Sequence, residues 1–225
     1  MKLTKDAAFL QDYDQAIHCE WLETNGLGGY AGSTVIGCNT RRYHGLLVAA
    51  VVPPTERMVL VNKLDESVTI DNKRYDLGCN NYGDAISPKG YQHLVAFKKD
   101  LCPEFIYEAG GVQIKKTIAM VHGENTTLII YEVLKSLQPF TFELTPLLSG
   151  RSYHELVSEN SLPDKSVVYD EGTLSITLSE KTPQVFIGLK DAGFHPAANW
   201  YRHFEYAAEK ERGLDHREDL FSPGT

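Results

Sequence analysis

The chain has 225 residues, 42% of them hydrophobic, with 30 acidic against 22 basic side chains and a formal net charge of −8. That length supplies a sizeable core for one large domain or two small ones. The acidic balance excludes any general attraction to nucleic-acid phosphates or anionic membranes and leaves neutral or cationic partners.

In chain order, the start Met1–Asp6 carries Lys2 and Lys5 but no apolar segment behind them. No apolar run approaches the roughly 18 residues of a membrane span, so neither a signal peptide nor a spanning helix is expected and the compartment is read as cytoplasmic. Cys19, Cys38, Cys79 and Cys102 are widely spaced with no C-x-x-C pair, which predicts free, buried thiols. No His, Asp or Cys cluster has metal-ligand spacing, so no metal and no cofactor are expected.

The block from Glu20 to Thr34 packs Gly26, Gly28, Gly29 and Gly32 around Trp21 and Tyr30. Such a concentration costs chain entropy and implies that something approaches the backbone closely. Gly26, Gly28 and Ala31 fit the dinucleotide fingerprint formally, but the preceding residues are polar and no amphipathic helix follows. The polar run Asn39-Thr40-Arg41-Arg42-Tyr43-His44 then leads directly into the apolar Leu46-Leu47-Val48-Ala49, a junction that sets polar side chains at the rim of a sheet.

From Val59 onward, short β-branched and aromatic runs alternate with turn dipeptides. Asp71-Asn72 and Gly110-Gly111 each separate two such runs and predict hairpins. Val112, Ile114, Ile118 and Met120 alternate with polar residues as a half-buried strand does, and Gly123-Glu124-Asn125 turns the chain after them. Leu128–Leu134, apolar on both faces, reads as a central strand covered on both sides. Phe140, Phe142 and Leu144, and later Leu174, Ile176 and Leu178, give two more half-buried strands. Many strands without long helices predict stacked antiparallel sheets, a large β-sandwich.

One helix is expected late: Trp200, Phe204, Ala207 and Glu211 share a stripe, Asn199 can cap its start and Gly213 can end it. Leu214 to Thr225 has no periodicity and reads as a connecting segment.

Two stretches, Thr24-Asn25-Gly26-Leu27-Gly28-Gly29-Tyr30-Ala31 and Asn39-Thr40-Arg41-Arg42-Tyr43-His44-Gly45-Leu46-Leu47, resemble the paired hallmark of the N-terminal domain of bacterial and archaeal glycogen-debranching enzymes, the amylo-α-1,6-glucosidase family. Pro146-Leu147-Leu148 with Arg151, Tyr153-His154, Trp200-Tyr201, Glu211–Asp215 and Glu218-Asp219-Leu220 extend the resemblance over essentially the whole chain. The resemblance implies a supersandwich of the galactose-mutarotase type over residues 1–213. It also implies that residues 214–225 begin a linker to an (α/α)-barrel glucosidase domain, whose carboxylates would cleave the α-1,6-glucosidic bond.

A glucan is neutral and rich in hydroxyls, so aromatic faces and forked charged or amide groups recognise it. Trp21, Asn25, Tyr30, Arg41, Arg42, Tyr43 and His44 offer that chemistry in one stretch, and Arg151 and His154 are candidates for the same cleft. Structural roles compete at each position. Arg41 or Arg42 can brace the loop against Glu20 or Glu23, His44 can be a satisfied structural histidine, Asn25 a turn residue, Trp21 core, and Arg151 with His154 a loop contact. Glycosidic hydrolysis needs two carboxyl groups across the scissile oxygen. The local pairs Glu20 with Glu23, and Glu218 with Asp219, flank a loop and sit in the tail, so no catalytic residue is assigned in this chain.

The expected function is therefore a non-catalytic domain that holds α-glucan, as glycogen or maltooligosaccharide, or walls the cleft of the glucosidase domain. Two alternatives stand beside it: a 4-α-glucanotransferase in its own right, and a purely structural interdomain module. Neither nucleic acid nor membrane is expected as a partner.

Overall fold

The computed structural model describes residues 2–161 and 165–225. The first strands are β1 (Leu3–Asp6), β2 (Glu20–Thr24), β3 (Tyr30–Thr34), β4 (Gly45–Val52), β5 (Glu56–Ile70), β6 (Lys73–Asp76), β7 (Cys79–Asn81), β8 (Ile86–Lys89) and β9 (Leu94–Lys99). They continue as β10 (Pro103–Ala109), β11 (Val112–Met120), β12 (Thr127–Lys135), β13 (Thr141–Ser152), β14 (Ser166–Asp170), β15 (Thr173–Thr177), β16 (Val185–Gly188), β17 (Pro196–Glu205) and β18 (Arg217–Gly224). Three α-helices of about one turn, α1 (Ala7–Leu10), α2 (Tyr13–Ala16) and α3 (Ala207–Glu211), complete the described α-helical structure. None of the described helices is long and apolar enough to cross a membrane.

The fold is mainly β and antiparallel, as the alternation predicts. One sheet has the order β17-β18-β13-β5-β4-β3-β2 with β6 added beside β5; a second has the order β1-β9-β10-β11-β12; a third, β14-β15-β16. Both hairpins form where the sequence places them. Ile70 faces Lys73 across Asp71 and Asn72, whose φ values of 48° and 63° are those of a type I′ turn, and Ala109 faces Val112 across Gly110-Gly111.

Two clusters fill the interior of the sandwich. Trp21, Val68 and Ile70 of the large sheet meet Phe97, Phe105, Ile114 and Ile118 of the five-stranded sheet, while Leu148 and Phe221 meet Leu174, Ile176 and Val185 of the three-stranded one. Val61 packs against both clusters, so the two smaller sheets lie side by side on one face of the large sheet. Between their edge strands β12 and β16 runs an open cleft of about 840 Å³, floored by residues such as Leu47, Val61 and Pro146.

Three expectations need correction. Leu128–Leu134 is the outer edge of its sheet: Ile129 and Tyr131 point inward, but Leu128, Ile130, Val133 and Leu134 are exposed. Apolarity on two faces says that a strand favours cover, not that this chain supplies it. Residues 199–205 belong to strand β17, leaving only Ala207–Glu211 helical after Tyr206, and Trp200 packs on Phe221 at 5.6 Å. A register shift between Tyr201 and Phe204, with His203 at φ 67°, breaks the two-residue alternation and leaves an accidental helical spacing. The tail is also ordered: β18 pairs with β13 and β17, with Leu220, Phe221 and Ser222 buried.

The register of β11 and β12 separates core from edge within one strand pair. Ile118 is buried and Ile130 is half exposed. Ile118→Ala should lower unfolding free energy by about 2–4 kcal/mol and Ile130→Ala by under about 1 kcal/mol, read from urea midpoints. Equal losses would contradict the edge position of β12.

Candidate functional site

The glycine-rich loop between β2 and β3 is pinned from beneath. Asn25 is fully buried; its Nδ2 donates to the Glu124 carbonyl (2.9 Å) and to Asn125 Oδ1 (3.1 Å), and its Oδ1 accepts from the Leu27 N–H (2.9 Å). Asn125 in turn exchanges two hydrogen bonds of 2.9 Å with the backbone of Ala50. A Cβ on Gly26 would lie 2.4 Å from the His122 ring, and one on Gly29 2.6 Å from Asn25 Nδ2. What approaches the glycine backbone is therefore the turn between β11 and β12.

Under the second half of the block sits a buried polar network. Arg151, 3% exposed, donates through Nε and through Nη2 (3.0 Å) to the two oxygens of Glu218, and through the same Nη2 to the Arg42 carbonyl at 2.8 Å. The Tyr206 hydroxyl also donates to Glu218 and accepts from Asn62 Nδ2 at 3.0 Å. Asn62 Oδ1 accepts from Asn39 (2.8 Å), whose own Oδ1 accepts from Ser33 (2.6 Å). The chain of contacts carries β13 and β18 to the polar run that precedes β4.

The candidate residues divide into interior and surface. Trp21 is core: its Nε1 donates to the Thr34 carbonyl (3.1 Å) and its ring meets Phe105 edge-on at 5.9 Å. His44 is buried, its Nδ1 accepting from the Thr40 N–H (3.1 Å) and its Nε2 facing Glu20 at 3.5 Å. Arg41 donates to the same Glu20 oxygen at 2.7 Å. The hydrogen bond from His44, and after it Arg41, hold the Glu20 carboxyl down at about 2 against the opposing effect of burial. Tyr30 is half-buried, its hydroxyl donating to the Tyr43 carbonyl (2.7 Å), and burial raises its pKa to about 12.

Tyr43, Arg42 and His154 do meet at the surface. Tyr43 packs edge-on to Tyr153 (5.4 Å) and to His154 (5.7 Å), and its hydroxyl is 3.2 Å from His154 Nδ1. Arg42 donates to the His154 carbonyl (2.9 Å), reaches Glu209 of α3 at 3.4 Å, and lies 5.8 Å from the Tyr43 ring. Arg57 completes the patch, donating to the Gly28 carbonyl and lying 5.4 Å from the Tyr153 ring. Arg42 Nε and Glu209 Oε1 are buried without a hydrogen-bond partner among the described residues.

The carboxylates of the two local pairs are each held by other partners. Glu23 pairs with Lys99 while Glu20 pairs with Arg41. Glu218 is enclosed by Arg151 and Tyr206, whereas the neighbouring Asp219 accepts from the Glu159 and His203 N–H groups. Among the described residues, no group of three or more His, Cys, Asp or Glu side chains could hold a metal ion.

The family model described as glycogen debranching enzyme N terminal matches residues 19–225. The chain belongs to that family. No individual curated protein matches it. The family match begins just ahead of the glycine-rich loop and runs through β18, so in this debranching-enzyme N-terminal domain the tail is part of the matched unit. Arg57, Glu209 and Tyr206 carry no local signal in the sequence, because each reaches the motif from another segment, whereas Tyr153 stands beside the candidate His154.

Two outcomes test this arrangement. Arg151→Leu leaves the Glu218 carboxylate buried without its cation and should lower stability by about 3–5 kcal/mol in urea unfolding. Glu20 has a depressed folded pKa, so its contribution is present above its usual value of 4.5 and is lost as pH falls through about 2. The stability gap between wild type and Glu20→Gln should therefore be widest above that value and close toward the acid end, measured by denaturant midpoints across pH; a gap independent of pH would refute the Glu20 assignment.

Proposed function

We propose that this domain holds α-glucan, and walls the cleft of a glucosidase domain acting on the α-1,6-bond, through the patch formed by Arg42, Tyr43, Tyr153 and His154. The observation that carries the reading is the convergence of two tyrosines and a histidine, flanked by two guanidinium groups, on the half-exposed side of the family's own motif. Aromatic faces stack on sugar rings, and planar donors fork to vicinal hydroxyls. Trp21, Asn25, His44 and Arg151, being buried, act in this reading by fixing the loop and not by touching sugar.

A second reading, a packing module for a neighbouring domain, draws on a different observation. The outer face of β12 and the cleft beside it expose Leu128, Ile130, Leu134 and, on β16, Phe186. Exposed apolar area of this kind marks contact surfaces.

The two readings separate in one titration. Calorimetry with a maltooligosaccharide should show weak, millimolar binding that Tyr153→Ala weakens by up to about tenfold, the equivalent of about 1.4 kcal/mol, while the variant's melting curve remains cooperative. No heat or chemical-shift change at about 10 mM ligand, well above a millimolar Kd, would dispose of the glucan reading and leave the packing one.

A further inference from the structure

The layer that covers the large sheet is interrupted between its two parts. β12 ends one of the smaller sheets and β16 the other; among the described residues β12 pairs only with β11, and β16 only with β15. Each strand therefore carries backbone N–H and C=O groups along one side that no neighbouring strand takes up. All four residues of β16, and Thr127, Ile129 and Tyr131 of β12, line the cleft of about 840 Å³ between the sheets. Its floor is apolar, with Leu47, Val61 and Pro146 supplied by three strands of the large sheet.

Size and charge narrow what can fill it. A strand takes up about 4.8 Å sideways, about 10 Å between packed layers and about 3.3 Å per residue along its length, or roughly 160 Å³ per residue. The cleft has room for about five residues of extended chain, close to the length of β16. Among the described residues its lining includes the carboxylates Glu143 and Asp191 but no Lys or Arg. Glu143 is paired with Arg74, whereas no ion pair holds Asp191 among the described residues. A cation entering here meets negative charge, and an acid is repelled. Phe186 at the rim is 64% exposed, and Leu128 and Ile130 are exposed on β12. Such apolar flanks are covered well by the aliphatic stems of Lys or Arg, whose charged ends stay in water.

We propose that the cleft is a strand-addition site: an extended segment of a partner protein, apolar at every second residue with Lys or Arg between, inserts between β12 and β16. It joins the five-stranded and three-stranded sheets into one layer. Main-chain hydrogen bonds to the two edges hold the segment, and its apolar side chains meet the floor. A sugar chain has no ladder of alternating N–H and C=O groups with which to satisfy both edges. The site lies outside the glucan patch, since Arg42, Tyr43, Tyr153 and His154 do not line the cleft. It rests on the packing reading only in taking this face as a contact surface, and adds the mode of binding and the chemistry of the partner.

The test titrates the acetylated, amidated peptide Lys-Val-Lys-Ile-Lys-Val-Lys into the folded chain and reads backbone amide exchange by NMR. At saturation, amides of both β12 and β16 should exchange about tenfold more slowly or better, with the hairpin at Gly110-Gly111 unchanged. The same peptide with Glu in place of Lys, or N-methylated at alternate residues along one edge, should bind at least about tenfold more weakly. Phe186→Lys, at an exposed position, and Asp191→Asn, which suits the φ of 60° there, should weaken binding with the melting curve still cooperative. Tyr153→Ala should leave peptide binding unchanged, so failure here is distinct from failure of the glucan reading. The peptide series on the wild-type chain decides the matter whether or not a variant folds. Binding that survives N-methylation leaves the packing reading standing and overturns strand addition. So does protection of one strand alone, equal binding of the Glu peptide, or no protection at about 1 mM peptide. Displacement of the peptide by a maltooligosaccharide, or the same protection arising from self-association without peptide, assigns the cleft to another occupant and overturns the proposal as well.

Discussion

The buried pair of Arg151 and Glu218 is the interaction on which the geometry of the motif depends. Both side chains are almost wholly removed from water, a state whose desolvation penalty is offset only when the remaining donors and acceptors are satisfied. Here they are: Glu218 also accepts from Tyr206 and the Val157 N–H, and Arg151 spends its other donors on the carbonyls of Ser152 and Arg42. The contact to Arg42 matters most, because it fixes the backbone at the point where the motif turns outward. Arg42 and Tyr43 then project from a position set by charges in the interior, and α3 adds a hydrogen bond from Ala208 N–H to the Thr40 carbonyl (3.0 Å).

The glycine-rich half of the motif is held by different means. Its glycines admit neighbouring protein: His122 and Asn25 occupy the space that side chains would fill, and Arg57 donates to the Gly28 carbonyl. A family motif is easily taken for a list of functional groups. In this domain Trp21, Asn25 and His44 of the motif are buried, Arg41 reaches the surface paired with Glu20, and Arg42 and Tyr43 meet Arg57 of β5 and Tyr153 and His154 of the turn after β13.

How much could be read in advance follows the range of the interactions. The hairpins at Asp71-Asn72 and Gly110-Gly111 depend on two residues each and were legible from those residues alone. The alternation of Val112, Ile114 and Ile118 gave the buried face of β11 correctly. The failures lie where a long-range partner or a register shift decides. β17 mimicked a helix because a bulge erased its period, β18 looked like a linker because its short run contains Ser222, Pro223 and Gly224, and β12 looked central because its two faces are alike. In the patch, the pairing of Tyr43 with His154 spans 111 residues, and no local pattern encodes such a distance.

The unpaired side of β12 has one more consequence. A strand edge presents a row of free N–H and C=O groups, and natural sheets usually blunt such edges with charge, proline or a bulge. Along β12 the charged residues are Glu132, held by Lys115 of the neighbouring strand, and the terminal Lys135, while Leu128 to Tyr131 is an uninterrupted β-prone run without proline. Such a segment is a template for intermolecular sheet growth. An edge strand with apolar side chains exposed thus favours concentration-dependent association of this chain, and covering it would serve solubility as much as assembly.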